Sequence, residues 1–181
     1  MSFQRAALIA SKIAKKVIAL EPVKIVAERL KSNCELNNLS NVSILQLAAS
    51  DEEGIVSFYK TKDKSSDAGM GTLCQHARPE KDTEEIKVES KTLDNILREE
   101  KVDFIKIDAD GYDGKVILGA IKTIEKYHPV IVFEYCKDFW DSSGIYLNAI
   151  EDLLISKGYV LTRLGKIQDY FNELCLYKPK K

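Results

Sequence analysis

The sequence predicts an α/β domain whose mainly parallel sheet carries helices on both faces. Two observations support this fold class: segments with helical period alternate with short apolar segments along most of the chain, and those apolar segments have the size of buried strands. A third refines it. Only GKIQDYF separates the last two strand segments, which is too short for a helical crossover, so they should pair antiparallel. The 181 residues fit one domain, 1–181, with its own core.

The first half of the chain alternates in this way from its start. Apolar residues recur with helical spacing in FQRAALIASKIAKK, and IVAERLKSNCELNN returns to that spacing before an Asn pair ends it. Three segments predict strands: VIAL, which Glu21-Pro22 ends, then VSILQLAA, and IVSFYK after the turn DEEG. Residues 61–85 then form a polar segment with few large apolar side chains. Inside a compact domain, such a segment indicates a functional or mobile loop.

The second half continues the alternation. IKVESKTLDNILREE predicts a strand followed by a short helix, and VDFIKID predicts a buried strand. DGKVILGAIKTIEKY predicts a helix that His128-Pro129 stops. VIVFEY is the next predicted strand, and YLNAIEDLLISKG is a helix with Gly158 at its C-cap position. YVLTRL and NELCLYK are the closing strands.

Composition and charge argue against several classes of function. The net charge is -1 at pH 7, so no basic field indicates binding to nucleic acid or to an anionic membrane. No apolar run approaches the roughly 20 residues that span a bilayer. The N-terminal segment also lacks the apolar region and cleavage site of a signal peptide. The predicted location is therefore the cytoplasm.

The cysteines and histidines do not predict a metal site. The four cysteines are scattered without a CxxC pair, which predicts reduced thiols, with Cys136 and Cys175 in strands. Cys74 and His76 stand close together, but a zinc site needs about four such ligands. DADGYDG begins like a calcium-binding loop, yet Gly119 stands where that loop requires its bidentate Glu. The calcium interpretation therefore fails.

Three of the predicted parallel strands end in an acid: Glu21 after VIAL, Asp108 in VDFIKID and Glu134 in VIVFEY. In an open α/β sheet, ligands bind beyond the carboxyl ends of the strands. An acid at the tip of an early strand can accept hydrogen bonds from both hydroxyls of a ribose. An acid at the tip of a central strand can hold a cationic amine or take a proton from a substrate.

Each acid also has a purely structural interpretation. Asp113 is the strongest candidate for capping the helix that follows it, and Asp108 or Asp110 can do the same. Glu134 can pair with a Lys or Arg side chain. Glu21 can be a plain loop acid before proline. Residue types at strand ends alone do not decide between these roles.

The segment VDFIKIDADGYDGKVILGA, followed by PVIVFEY, resembles the FkbM-type methyltransferases, which use S-adenosylmethionine (SAM). Their signature reads approximately IKIDvEGaE, followed by an apolar helix that contains Gly and by a strand that ends in Glu. KVIALEPV resembles the family's second strand, NVSILQLAASDEEG its third strand and adenine-side loop, and ESKTLDNIL its tLDdl segment. The resemblance extends from about Ile9 to Lys178, with the motifs in the family's order.

The resemblance implies a Rossmann-like, doubly wound class I methyltransferase fold. It also implies O-methylation of a hydroxyl on a sugar, polyketide or similar small acceptor. Glu21 would hold the ribose hydroxyls of SAM, and Ala48 and Ala49 would lie against its adenine. Asp108 would lie near the methionine end and the transferred methyl group. Asp108 or Asp110 could accept the proton of the acceptor hydroxyl.

The sequence departs from the family pattern at two places. Asp110 and Asp113 stand where the family more often has Glu, which shortens the reach of each carboxylate by one methylene. The family's first strand and its Gly-rich loop, roughly DvGaNiG, should precede the first helix, whereas this sequence begins at that helix. Because that strand would be central, its absence would leave two neighbouring strands about 10 Å apart with unpaired inner edges. We therefore expect an N-terminally truncated fold with weak SAM binding or marginal stability.

Two other functions stay open on this evidence. The missing glycine loop also fits a non-catalytic interaction module, or an inactive fragment, that keeps the fold. A doubly wound enzyme that binds NAD or a nucleotide is a third interpretation, but the sequence has neither a GxGxxG nor a P-loop motif. If the chain is an enzyme, residues 61–85 are the expected lid over a small-molecule hydroxyl acceptor.

Overall fold

The computed structural model describes residues 3–62, 71–74, 83–166 and 173–180, and helices and strands alternate through most of them. The helices are α1 (Phe3–Ala10), α2 (Lys24–Leu36), α3 (Leu93–Leu97), α4 (Asp113–Leu118), α5 (Ile121–Tyr127), α6 (Lys137–Ser143) and α7 (Leu147–Ser156). The strands are β1 (Val17–Leu20), β2 (Val42–Leu45), β3 (Ala48–Ala49), β4 (Gly54–Thr61), β5 (Gly71–Thr72), β6 (Thr83–Lys91), β7 (Phe104–Lys106), β8 (Val130–Tyr135), β9 (Tyr159–Lys166) and β10 (Glu173–Pro179). Within these ranges, no helix has the length and apolar character needed to cross a membrane.

Most predicted elements lie where the apolar pattern places them. In α2 the side chains at helical spacing face inward, and Val26, Ala27, Leu30 and Cys34 are buried. Gly158 follows α7 with a φ of 84°, a left-handed conformation that lets the helix end there at little cost. The predicted α/β class is therefore confirmed.

The structure differs from the predictions at three places in its second half. The helix predicted in DGKVILGAIKTIEKY is divided into α4 and α5, because the backbone at Gly119 and Ala120, with ψ values of 0° and 8°, departs from helical geometry. The segment KDFWDSS, for which no element was predicted, forms α6. Cys136 occupies the N-cap position of α6. Its predicted place in a strand is wrong.

The described strands form three sheets. Their strand orders are β1-β2, β7-β8-β10-β9 and β3-β6-β4-β5. The pairs β1-β2, β7-β8 and β3-β6 are parallel, whereas β4-β5, β4-β6, β8-β10 and β9-β10 are antiparallel. The antiparallel pairing of the last two strands is confirmed. A single, mainly parallel sheet is not what the described residues form, because the segment after β3 returns as a long antiparallel hairpin.

The sheets β1-β2 and β7-β8-β10-β9 lie close to each other at β1 and β7, but no described pairing joins these two strands. Lys16, just before β1, forms an ion pair of 2.5 Å with Glu100, shortly before β7. Ile18 and Leu20 of β1 pack against the same apolar cluster that contains Ile105 of β7. The two strands therefore begin close to each other and contribute to one core. Among the described residues each pairs on one side only, β1 with β2 and β7 with β8.

The orientation of the backbone shows which N–H groups of β1 and β7 are not bonded to β2 and β8. In a parallel pair, successive residues direct their N–H and C=O groups alternately to one side and the other. The N–H of Val17 donates to the carbonyl of Asn41, just before β2. The N–H of Glu21 donates to Leu45 of β2, and that of Ile107 donates to Val132 of β8. The N–H groups of Ile18 and Lys106 consequently point away from β2 and β8, to sides on which no described strand accepts them.

We expect this alternation to appear in hydrogen exchange measured by NMR. The amides of Ile18 and Lys106 should exchange about 100-fold faster than those of their neighbours Val17 and Ile107, because only the latter are bonded within a ladder. Comparing adjacent residues of one strand removes differences in overall stability. Equal protection of adjacent amides would show that the edges of β1 and β7 that face away from β2 and β8 are paired as well.

The main core lies on one face of the sheet β7-β8-β10-β9. Phe133 of β8 stacks on Tyr177 of β10 with ring centroids 5.5 Å apart, and it also contacts Trp140 of α6 at 5.4 Å. Ile124 of α5 and Leu154 of α7 are fully buried in the same cluster. This core fixes the ends of β7 and β8, and with them the loops that carry the acidic residues.

The predicted lid, residues 61–85, lies mostly outside the described part of the chain. Its described portions are the end of β4, residues 71–74 with β5, and the start of β6. β6 pairs with β4 along its full length in antiparallel register, from Thr83 opposite Thr61 to Ser90 opposite Gly54. The two ends of this segment are therefore strands of one hairpin, and its role as a lid stays a prediction.

Candidate active site

The loop that joins β7 to α4 carries the central acidic residues. It turns sharply, because Asp110 and Gly111 have φ values of 46° and 94°. A positive φ is ordinary for glycine and uncommon for a residue with a side chain. The buried carboxylate of Asp113 closes the turn by accepting hydrogen bonds from the N–H groups of Gly111 at 3.2 Å and Ala109 at 3.5 Å. Asp113 is the first residue of α4, and its carboxylate holds the preceding loop.

Helix α6 packs directly onto this loop. A Cβ at Gly111 would lie 2.6 Å from the backbone of Phe139, so glycine is needed there for its conformation and for its size. Trp140 is fully buried, and its Nε1–H donates to the carbonyl of Glu134 at 3.2 Å. This bond ties α6 to the end of β8. The loop and the end of β8 therefore form one packed unit.

A small pocket opens at the carboxyl ends of β7 and β8. Its lining residues are Asp108, Asp110, Gly111, Asp113, Glu134, Cys136 and Phe139. The structure thus brings together both residues predicted for catalysis, Asp108 and Asp110, with the strand-end acid Glu134. Four of the seven lining side chains are carboxylates, so the pocket carries a concentrated negative charge.

The carboxylates of the pocket differ in their surroundings. Burial, together with the neighbouring charge of Asp108, raises the pKa of Asp113 to about 7, although hydrogen bonds from Ala109 and Gly111 act in the opposite direction. Asp108 is partly exposed and pairs with Lys106 at 2.5 Å. Asp113 is thus near its titration point at neutral pH, while Asp108 has a cationic partner. A positively charged group of a ligand would be favoured here.

Glu21 lies at the carboxyl end of β1. Its side chain is buried, and its Oε1 accepts a hydrogen bond from the N–H of Val23 at 2.8 Å. Burial raises its pKa to about 7 in spite of that bond. Its Oε2 has no hydrogen-bond partner among the residues that the structure describes. Glu21 does not line the small pocket, but its second oxygen is available as an acceptor for a ligand.

The alanines predicted to contact adenine form β3. Ala48 is 5% exposed and packs among the apolar residues between α2 and the hairpin, whereas Ala49 is half-buried. The loop that follows is fixed by α4, because a Cβ at Gly119 would lie only 2.0 Å from the carbonyl oxygen of Ser50. Ala49 is the more accessible of the two alanines. The contact of both with adenine stays a prediction.

Two pocket residues were missed by sequence reasoning. Cys136 and Phe139 line the pocket because α6 turns back over the loop, and α6 itself was not predicted. The available signal was Gly144, which follows the helix in a left-handed conformation with a φ of 74°. A glycine there, after the apolar pair Phe139-Trp140, indicates a helix end, but it does not indicate what the helix covers.

A family model described as Methyltransferase FkbM domain matches residues 2–161 of the chain. Among solved structures, methyltransferase FkbM from Methylobacillus flagellatus KT is similar, with a TM-score of 0.59 and 17% sequence identity. That match covers 91% of this chain and 36% of the other, so this chain spans about a third of that protein's length. SMU.1697c from Streptococcus mutans, solved in complex with SAH, has a TM-score of 0.54 and 13% identity, with 96% of this chain and 81% of the other covered. No curated protein matches significantly. The two solved structures establish similarity of fold.

Proposed function

Because the chain belongs to the methyltransferase FkbM domain family, we propose that it transfers a methyl group from SAM to a hydroxyl of a small molecule or sugar. The observation that supports the proposal most directly is the position of two acids. Glu21 and Asp108 follow the carboxyl ends of β1 and β7, the kind of strand end at which an α/β sheet binds its ligands. SMU.1697c was solved with SAH, S-adenosylhomocysteine, which is what SAM becomes after losing its methyl group.

The residues at this edge fit SAM on chemical grounds. Glu21 combines a bonded oxygen with a second oxygen that can accept from a ribose hydroxyl. The acidic pocket around Asp108 suits the positively charged amino and sulfonium groups of the methionine end. Ala49 offers a half-buried apolar surface for the adenine. When bound, SAM supplies an electrophilic methyl group to the acceptor.

In this proposal the chain contributes orientation and a proton acceptor. An in-line methyl transfer depends on holding the two reacting atoms in place, which favours a rigid site. The buried carboxylate of Asp113 and the backbone of Phe139 fix the loop from two sides. Asp108 or Asp110 takes the hydroxyl proton of the acceptor, since both carboxylates line the pocket.

The second candidate is a non-catalytic interaction module, and one observation favours it. The edges of β1 and β7 that face away from β2 and β8 present backbone N–H groups that no described strand accepts. The N–H groups of Ile18 and Lys106 are among them. Unpaired strand edges are common sites for the addition of a strand from another chain. This candidate predicts no affinity for SAM or SAH.

Isothermal titration of SAH distinguishes the two candidates. We expect the chain to bind SAH, and Asp108→Ala to bind about 10- to 100-fold more weakly, because a hydrogen bond to a charged group is lost. Asp103→Ala is a matched control: Asp103 precedes the same strand and pairs with Lys101 at 2.7 Å, as Asp108 pairs with Lys106. A folded chain without affinity for SAH would favour the interaction module. An equal loss in both variants would indicate an effect on stability instead.

A further inference from the structure

Residues 71–74 connect the hairpin of β4 and β6 to the loop after β7. On the hairpin side, Thr72 pairs with Tyr59 in antiparallel register. Gly71 lies so close to the ring of Phe58 that a Cβ there would be 2.4 Å from it. Leu73 packs against the apolar cluster of the hairpin. The segment is therefore attached firmly to the hairpin. It also contacts the loop between β7 and α4.

The side chain of Thr72 makes the contact to the site. Thr72 is 1% exposed, and its Oγ1 donates to the carbonyl oxygen of Asp110 at 2.9 Å. The same oxygen accepts from the N–H of Cys74 at 3.0 Å. A hydroxyl is required for this arrangement, because it donates and accepts at one atom. Valine has the same shape but can do neither.

The bond from Thr72 reaches a peptide group that is also held from its opposite end. The peptide between Asp110 and Gly111 presents its carbonyl to Thr72 and its N–H to the carboxylate of Asp113. Both partners are buried and come from different parts of the chain. Asp110 and Gly111 both have positive φ, a conformation that a residue with a side chain keeps only when its surroundings enforce it. The two bonds supply that enforcement.

We propose that Thr72 is a positioning residue for the pocket: with Asp113 it fixes the 110–111 peptide and so directs the carboxylate of Asp110 toward Asp108 and Glu134. The importance of this for methyl transfer rests on the proposed function, in which Asp110 faces the acceptor. The hairpin then contributes to the site through one hydroxyl, although Thr72 itself does not line the pocket.

Amide exchange by NMR tests the positioning directly. The reporters are the N–H of Gly111, bonded to Asp113, and that of Tyr112, bonded to the carbonyl of Ala109 at 3.1 Å. We expect Thr72→Val to speed exchange at both amides by about tenfold, and Thr72→Ser to restore both rates to within about threefold of the original. Thr123→Val, which alters another buried threonine, in α5, should leave both rates unchanged.

Two results would overturn the proposal. One is exchange at Gly111 and Tyr112 that Thr72→Val leaves within about twofold of the original rates. The other is a serine variant that behaves like the valine variant, since the hydroxyl would then be irrelevant. If the valine variant does not fold, Thr72→Ala, which removes the hydroxyl with a smaller side chain, replaces it in the same comparison.

Titration of SAH into the same variants separates this inference from the proposed function. Faster exchange in Thr72→Val, with SAH affinity close to that of the original chain, supports a role on the acceptor side. Faster exchange in a chain that binds no SAH supports the positioning of Asp110 and contradicts the methyltransferase proposal. Unchanged exchange contradicts the positioning whatever the SAH affinity.

Discussion

Gly119→Ala should lower the free energy of unfolding by about 3 kcal/mol or more, the upper range for inserting an atom into a packed site. A Cβ at this position would lie 2.0 Å from the carbonyl oxygen of Ser50 and 2.9 Å from its carbonyl carbon. Both are backbone atoms, which cannot rotate aside as a side chain can. Gly119 has a φ of -73°, so alanine brings no conformational strain of its own. The expected loss comes from the contact alone.

Gly144→Ala is the matched control for this measurement. Gly144 has a φ of 74°, but nothing lies within 4 Å of the position of its Cβ. Alanine there should cost about 1 kcal/mol through backbone strain without any clash. Urea denaturation followed by circular dichroism gives both values. If Gly119→Ala costs no more than Gly144→Ala, α4 does not pack against the loop after β3 as described.

The same substitution has a consequence for the site. Ser50 directly follows Ala49, so a displaced Ser50 carbonyl shifts the surface proposed to contact adenine. Gly119→Ala should therefore weaken SAH binding under conditions in which the variant is still folded. Gly144→Ala, whose added Cβ meets nothing within 4 Å, should bind SAH as the original chain does.

SAH should bind about tenfold more tightly at pH 8 than at pH 6, because Glu21 must be ionised to accept hydrogen bonds from the ribose. Burial raises the pKa of the Glu21 carboxyl to about 7, so most of it is protonated at pH 6 and most is ionised at pH 8. Affinity should rise through this range and level off above it. Binding near pH 6.5 should also release a proton, which appears as a dependence of the binding enthalpy on the buffer.

Substitutions at Glu21 isolate its contribution from other titrating groups. Glu21→Gln keeps one acceptor oxygen but cannot ionise, so the slope of affinity between pH 6 and pH 8 should fall to the part that Asp113, whose pKa is also about 7, contributes. Glu21→Ala removes both acceptor oxygens and should weaken SAH binding at pH 8 by about 100-fold. Isothermal titration at several pH values provides both tests. An unchanged slope in Glu21→Gln, or affinity that falls as the pH rises, would contradict the ribose role of Glu21.

The sequence by itself determined the features that depend on local pattern. The apolar stripe of α2 and the closing glycine of α7 follow from the spacing of residues that are near each other in the chain. The acids Glu21 and Asp108 were identified because a strand end is visible as the end of an apolar run. Family motifs then indicated the methyltransferase family, which the family model confirms.

The tertiary structure alone decided how these pieces meet. The contact of Thr72 with Asp110 spans 38 positions, and neither residue carries a local signal for the other. The approach of Gly119 to Ser50, the cover that α6 provides and the raised pKa of Glu21 likewise depend on which segments pack together. Periodicity reports which side of an element is buried. It does not report its partner, because apolar surfaces attract one another without direction.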